Sequence, residues 1–226
     1  MVLNTSPGRS AATRTPVISA AARIMGGRAA RASRKLRGMG PATTLTELGA
    51  ARFVMAVDKM LAVYTAAMKP AVSHLAGRRA IMARHATNPG FRALAVLDSD
   101  GEPVAFSYGF HGEPGQWWHD MVNYSLASAA GTAEASHWLS DSFEVAELHV
   151  TPAYQHRGLG RNLLYRLTGD LGEYSALLST HDSESAARRL YRSAGFVDLL
   201  TAFRFSGGDP PYAVMGAALP LRDIRS

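Results

Sequence analysis

The sequence predicts a single mixed α/β domain built on a central sheet, with a basic segment ahead of it. Three observations carry this expectation. Two extended apolar runs, 91–97 and 104–110, flank Asp98-Ser99-Asp100-Gly101, which has hairpin-turn chemistry. Two strand-then-helix units follow, 143–150 into 158–171 and 175–180 into 183–194. Two further strand-like runs, 196–205 and 212–217, close the chain. Helices, a hairpin, strand–helix pairs and end strands in that order describe a mixed sheet with helices packed against it.

The elements are justified in turn. Residues 48–68 read mainly as helix, because Phe53, Val54, Val57, Leu61 and Tyr64 recur at helical spacing. A short strand leading into it is compatible with the pattern. Pro70 ends this helix, since proline has no N–H to donate. A second helix spans 73–85 and stops before Asn88-Pro89-Gly90. Residues 112–140 read as a long connection that contains Trp117, Trp118 and Trp138. In the helix at 158–171, Leu163, Leu164 and Leu167 share a face, and Gly172 is the expected stop. In the helix at 183–194, Ala186, Ala187, Leu190, Tyr191 and Ala194 point inward. Asp182 or Ser183 is its expected cap and Gly195 its end.

Composition narrows the function. The 226 residues are 47% hydrophobic, enough to bury a core without covalent staples. There is no cysteine, which excludes disulfides, thiolate metal sites and a thiol nucleophile. The histidines and acids show no metal-ligand spacing, so no metal is expected. The longest stretch free of Asp, Glu, Lys and Arg is 121–133, well short of the ~20 residues that span a bilayer. No apolar segment of the secretory kind follows the first charges. A cytoplasmic protein without a membrane partner is the expectation.

The net charge of +6 is unevenly spread. Residues 1–46 hold eight bases and no acid, which leaves 16 bases against 18 acids in the rest. The folded part is therefore mildly acidic, and a nucleic-acid partner is not expected. Residues 1–42 are rich in Arg, Ala, Ser and Gly, a composition that cannot offset its ordering entropy. They read as a disordered basic tail before a domain at 43–226. The same composition also fits a start placed upstream of Met25 or Met39, a transit peptide, or a segment that docks an anionic surface.

The chemistry concentrates in residues 147–161. A strand ends at Val150, and Pro152 prevents its continuation as a paired central strand. Gly158 and Gly160 let the backbone approach a ligand closely as a helix begins. A helix start offers free N–H groups and a partial positive charge, and Arg157 and Arg161 add formal charge. A dinucleotide-binding fingerprint is ruled out because Leu163 stands where its third glycine belongs. A phosphate loop of the Gly-Lys-Ser/Thr kind is absent.

This turn resembles the acetyl-CoA-binding motif of the GNAT acetyltransferases, Gln/Arg-x-x-Gly-x-Gly/Ala, with Gln155, Gly158 and Gly160 in the matching places. A second block of that family, Ala-x-x-Leu-Tyr-x-x-x-Gly-Phe, is matched by Ala187, Leu190, Tyr191, Gly195 and Phe196. Glu184 stands where the family often carries Asn. The resemblance covers about 91–205. It implies a mostly antiparallel central sheet, flanked by helices, with one strand splayed to receive the cofactor. It further implies acetyl-CoA as acyl donor, held by the backbone of Leu148, His149 and Val150 and by the turn Gln155, His156, Arg157, Gly158, Leu159, Gly160 and Arg161.

The resemblance also implies that Tyr191 serves as the acid for the leaving thiolate; on its residues alone, Tyr191 equally fits the inward stripe of its helix. Glu147 and Glu144 are the candidate bases, Glu147 ranking slightly ahead. Strand alternation places the two on opposite faces unless a bulge intervenes. Trp117, Trp118 and His119 are the candidate substrate wall, or else anchors of their connection. The implied activity is transfer of an acetyl group to a small-molecule or peptide amine by direct attack in a ternary complex. A homodimer is compatible with it. The alternative is a CoA- or metabolite-sensing module on the same fold, without turnover.

Overall fold

The computed structural model describes residues 34–36, 42–205 and 210–222. All of them fall in the unit that spans Ala32–Ser226. The expected tail at 1–42 lies outside the described residues except for Arg34–Leu36, which form an edge strand, and residue 42.

The strands are β1 (Arg34–Leu36), β2 (Thr43–Leu48), β3 (Arg92–Leu97), β4 (Pro103–Gly112), β5 (Ser142–Val150), β6 (Ser175–His181), β7 (Val197–Phe203) and β8 (Tyr212–Ala218). The helices are α1 (Ala50–Met55), α2 (Val57–Met68), α3 (Leu75–His85), α4 (Trp117–Ala130), α5 (Thr132–Leu139), α6 (Leu159–Leu167) and α7 (Ala186–Ser193). Sheet order is β1-β2-β3-β4-β5-β6-β8-β7. Every neighbouring pair is antiparallel except β5 and β6. This is the mostly antiparallel sheet that the family resemblance implies.

Alternation along the strands divides the core by face. Leu94, Val96, Phe143, Val145, Ala176 and Leu178 meet Leu159, Leu163, Leu164 and Leu167 of α6 and Tyr191 of α7. On the opposite face, Ala93, Ala95, Phe106, Tyr108 and Phe110 meet Phe53, Val57, Met60 and Met82 from α1, α2 and α3. Leu177 and Val214 meet Val122, Leu126, Ala135 and Leu139 of α4 and α5. Burying a large apolar side chain of this kind stabilises by roughly 1.5–3 kcal/mol.

Four expectations need correction. The single helix at 48–68 is two helices, α1 and α2, entered from strand β2. Ala56, at φ −98° and ψ 5°, breaks it, and left-handed Lys69 ends α2 directly before Pro70. The connection at 112–140 contains α4 and α5, joined at Gly131, whose φ of +95° suits glycine alone. Helix α6 ends at Leu167, ahead of Gly172, because the chain turns through left-handed Asp170. The cap of α7 is Ser185, whose hydroxyl accepts from the Arg188 amide at 3.1 Å. Asp182 accepts instead from the buried Arg188 guanidinium and, at 2.7 Å, from the Ala202 amide.

Candidate active site

Strands β5 and β6 pair for only three rungs, from Ser142–Ser175 to Glu144–Leu177. Beyond Glu144 no rung joins them. Each stays paired on its other edge, β5 to β4 as far as Val150 and β6 to β8 as far as His181. The sheet therefore opens as a V with its apex at Glu144. The edge of β5 along Val145–Val150 faces the opening, and backbone polar groups in such a place require a partner.

The open arm of β5 leads into the glycine turn. The Thr151 amide still donates to Val104 O at 2.9 Å. Pro152–Tyr154 form a tight 3-10 turn, and Gln155 Nε2 returns to Val150 O at 3.0 Å. His156 and Gly158 both take left-handed backbone, φ 58° and 76°. Gly158 caps α6 without a side-chain hydrogen bond, so the first N–H groups of α6 have no capping side chain. Leu159 is buried and pins the turn to the core. A Cβ on Gly160 would lie 3.4 Å from Leu190 Cδ2 and 3.6 Å from Leu148 Cδ2, so α6, α7 and β5 close together there. Arg157 lies over the Tyr154 ring at 5.0 Å, and Arg161 over Tyr165 at 4.8 Å. The open arm of β5 and the turn together carry the residues expected to bind the cofactor, and the side chain of His149 points to the other face of the sheet toward Tyr64 and Phe106.

A β-bulge settles the placement of the two acids. Tyr108 pairs with Glu147 but Gly109 pairs with Val145, so β5 carries one extra residue. Val145 and Leu148 both reach the α6 side despite an odd spacing. Glu144, Glu147 and His149 are thereby gathered on the face toward α2 and α3. Glycine is required opposite the bulge, because a Cβ at Gly109 would come within 2.3 Å of Glu144 O.

The acids have different surroundings. Glu147 is 8% exposed and both its oxygens are occupied. Oε1 accepts from Arg78 Nη1 at 2.8 Å, and Oε2 accepts from His149 Nε2. Burial alone would push its carboxyl upward, but His149, Arg78 and His85 outweigh that and hold it below the ordinary carboxylate range. Glu144 is 6% exposed, and its Oε2 has no hydrogen-bond partner among the described residues. Burial, and then the charge of Glu147, push its carboxyl up to about 8. Of the two candidate bases, Glu147 is engaged at both oxygens and Glu144 keeps one oxygen without a partner among the described residues.

Tyr191 is buried on α7, in the core on the other side of β5. Burial, and next the charge of Glu147, push its hydroxyl up to about 12, so it stays protonated at neutral pH. A thiol near 8.5 is the stronger acid. Complete proton transfer from Tyr191 to a thiolate runs uphill, and the hydroxyl suits hydrogen-bond donation to the sulfur.

Four further side chains complete the acid-bearing face: Tyr64, Arg78, His85 and Tyr108. Arg78 lies over the Tyr64 ring at 5.0 Å. His85 Nδ1 meets the Tyr108 hydroxyl at 3.1 Å. Burial pulls His85 down to about 4, so it is neutral. These residues were not recoverable from local motifs, since they come from α2, α3 and β4 and meet only across the sheet.

Trp117, Trp118 and His119 form the first turn of α4 rather than a loop. His119 is 5% exposed, and its Nε2 meets Leu139 O at 3.4 Å. Trp118 Nε1 donates to Ser179 Oγ at 3.3 Å and so braces the splayed half of β6. Trp117 is 57% exposed and lies against Phe205 at 5.4 Å.

Comparison with known proteins agrees with this geometry. Residues 91–198 match the acetyltransferase (GNAT) domain. The chain is 36% identical over 127 residues to a GCN5-like protein acetyltransferase of Mycobacterium tuberculosis, which covers 54% of this chain and 62% of that protein. It thus spans less than two thirds of that relative's length. It is 32% identical over 119 residues to the N-alpha-acetyltransferase RimI of the same organism, covering 51% of this chain and 75% of RimI. A solved chain of the NatC complex, bound to Gag peptide and CoA, shares the fold with a TM-score of 0.55 at 13% identity, over 78% of this chain and 98% of that one. No helix among the described residues is long and apolar enough to cross a membrane. With the splayed strand, the glycine turn and these matches together, the chain belongs to the GNAT superfamily of acetyltransferases.

Proposed function

We propose that the chain moves an acetyl group from acetyl-CoA to a primary amine by direct attack, with both substrates bound at the V of the sheet. One observation carries this reading. A buried carboxyl oxygen without a partner among the described residues, Glu144 Oε2, stands at the apex of an opening whose arm leads to a helix start with no side-chain cap. The residues fit the donor. The β5 edge at Leu148–Val150 would pair with its pantetheine arm, and the amides of 156–161 would hold its pyrophosphate. Bound there, the thioester supplies an activated acetyl group.

The chain's own groups do the rest. Glu144 Oε2 takes the proton that the amine gives up as nitrogen bonds to the acetyl carbon and the carbon–sulfur bond breaks. Its raised carboxyl matches a neutral-pH base for an amine. Backbone N–H groups of the β5 edge polarise the acetyl carbonyl. Tyr191 donates a hydrogen bond to the departing sulfur, whose proton comes from solvent. Glu147 holds Arg78 and His149 in place and acts as a positioning residue. The relatives' names mention protein and N-alpha acetylation, so peptide α-amines and lysines head the acceptors to screen, followed by small amines.

The test is a thermal shift with acetyl-CoA, paired with thiol release against an amine panel. Acetyl-CoA should stabilise the protein and acetate should not. Replacing both Gly158 and Gly160 by Val should abolish the shift while the chain remains folded. No shift at millimolar acetyl-CoA contradicts the reading, and a shift without turnover on any amine favours the sensing alternative.

A further inference from the structure

The acid-bearing face carries two carboxyls and one strong cation, and the cation is more exposed than the acid it pairs with and the histidine on that acid's other oxygen. Arg78 keeps 37% of its side chain exposed, against 8% for Glu147 and 11% for His149. Glu144, Tyr64 and Tyr108 are buried. An amine that reaches Glu144 along this cluster passes the guanidinium.

The cluster is electrically balanced before any acceptor arrives. Glu147 is ionised and answered by Arg78. Burial keeps Glu144 largely protonated at neutral pH and His85 neutral. When Glu144 ionises, its charge answers the reacting amine, so a second positive charge on an acceptor would meet Arg78 with Glu147 already paired to it. A carboxylate would meet the guanidinium, which has five donors, spends Nη1 on Glu147 and also hydrogen-bonds Tyr64. The span is set by the bulge, since Glu144 and Glu147 stand on one face like residues two apart on a regular strand.

We propose that Arg78 selects acceptors that carry a carboxylate about 7 Å from the reacting amine, roughly the length of two strand residues, and turns away polycations. The inference rests on the acetyl-transfer reading above and names the acceptor class of that site. Such a carboxylate belongs either to an amino acid with a terminal amine or to an acidic side chain near a peptide's N-terminus.

Three acceptors of equal chain length isolate the end group: δ-aminovalerate, δ-aminovaleramide and cadaverine. The peptides Ala-Asp-Ala-amide and Ala-Asn-Ala-amide form a second pair. With the full chain, kcat/KM should fall from carboxylate to amide to diamine, by about tenfold or more from first to last. Arg78→Gln should collapse the ratios toward one, and Arg78→Lys should keep part of them. A purely structural Arg78 would lower all rates together and leave the ratios alone. Preference for Ala-Asp-Ala-amide over δ-aminovalerate assigns the peptide source, and the reverse assigns the free amino acid. Ratios at or below one in the parent protein, or unchanged in Arg78→Gln, overturn the inference while leaving acetyl transfer intact. Acetyl-CoA binding without acetylation of any probe also overturns it. Failure to bind acetyl-CoA contradicts the underlying reading instead.

Discussion

Replacing Glu144 by glutamine keeps the shape of the side chain and removes its ability to ionise. Burial, then the neighbouring Glu147, push this carboxyl from an ordinary 4.5 up to about 8. Ionising it in the folded chain, relative to the unfolded one, therefore costs about 5 kcal/mol. The folded chain holds this proton more tightly than the unfolded chain. The stability it contributes is complete below 4.5 and is lost as pH rises through about 8. From about pH 6 to about pH 9 the parent should lose about 2–3 kcal/mol relative to Glu144→Gln. In a domain of this size that is about 5–10 °C of relative melting temperature. Thermal or urea unfolding of both proteins across that range reads it directly. Activity runs the other way. The parent's kcat should rise with pH toward about 8 as the carboxyl ionises, and Glu144→Gln should lose about 10²–10⁴ of it. A stability difference that stays flat with pH refutes the buried-acid reasoning. Full activity in the glutamine variant refutes the base.

Three more outcomes follow from the same geometry. Glu147→Gln should cost about 1–3 kcal/mol in denaturant unfolding, through its lost bonds to Arg78 and His149. It should also move the midpoint of the pH–rate profile downward, because the charge of Glu147 helps raise Glu144. Gly109→Ala should destabilise by about 1–3 kcal/mol, since the new methyl meets Glu144 O and the Phe143 ring; retained stability and activity would show that the bulge tolerates a side chain. Tyr191→Phe should leave acetyl-CoA affinity unchanged in calorimetry while kcat falls about 10²–10³, the usual loss for one donor aimed at developing charge.

The sheet was largely legible in the sequence because its signals are local. The hairpin around Asp98–Gly101, the strand into Gly158 and the Leu163, Leu164, Leu167 stripe of α6 each declare themselves within a dozen residues. Helices α4 and α5 did not, because their buried positions are sparse. Val122 and Leu126 in one, and Ala135 and Leu139 in the other, are spaced by four, but the run 112–140 with its tryptophans reads as a connection. The glycine turn was legible because glycine spacing and a helix start lie together in the chain. The acid pair was legible in identity but not in arrangement. A bulge depends on what stands across the ladder, here Gly109, and no pattern along β5 alone reveals it. The same holds for Arg78, which reaches Glu147 from 69 positions away.

The most direct test of acetyl transfer at the V of the sheet is a stoichiometric one. Parent protein, acetyl-CoA and the best amine from the panel are mixed, and free thiol and N-acetylated amine are counted in the same samples by absorbance and mass spectrometry. The two should appear one for one, at a rate that depends on the amine and collapses in Glu144→Gln. Thiol release without acetylated amine, or equal rates in parent and variant, would contradict direct transfer assisted by Glu144.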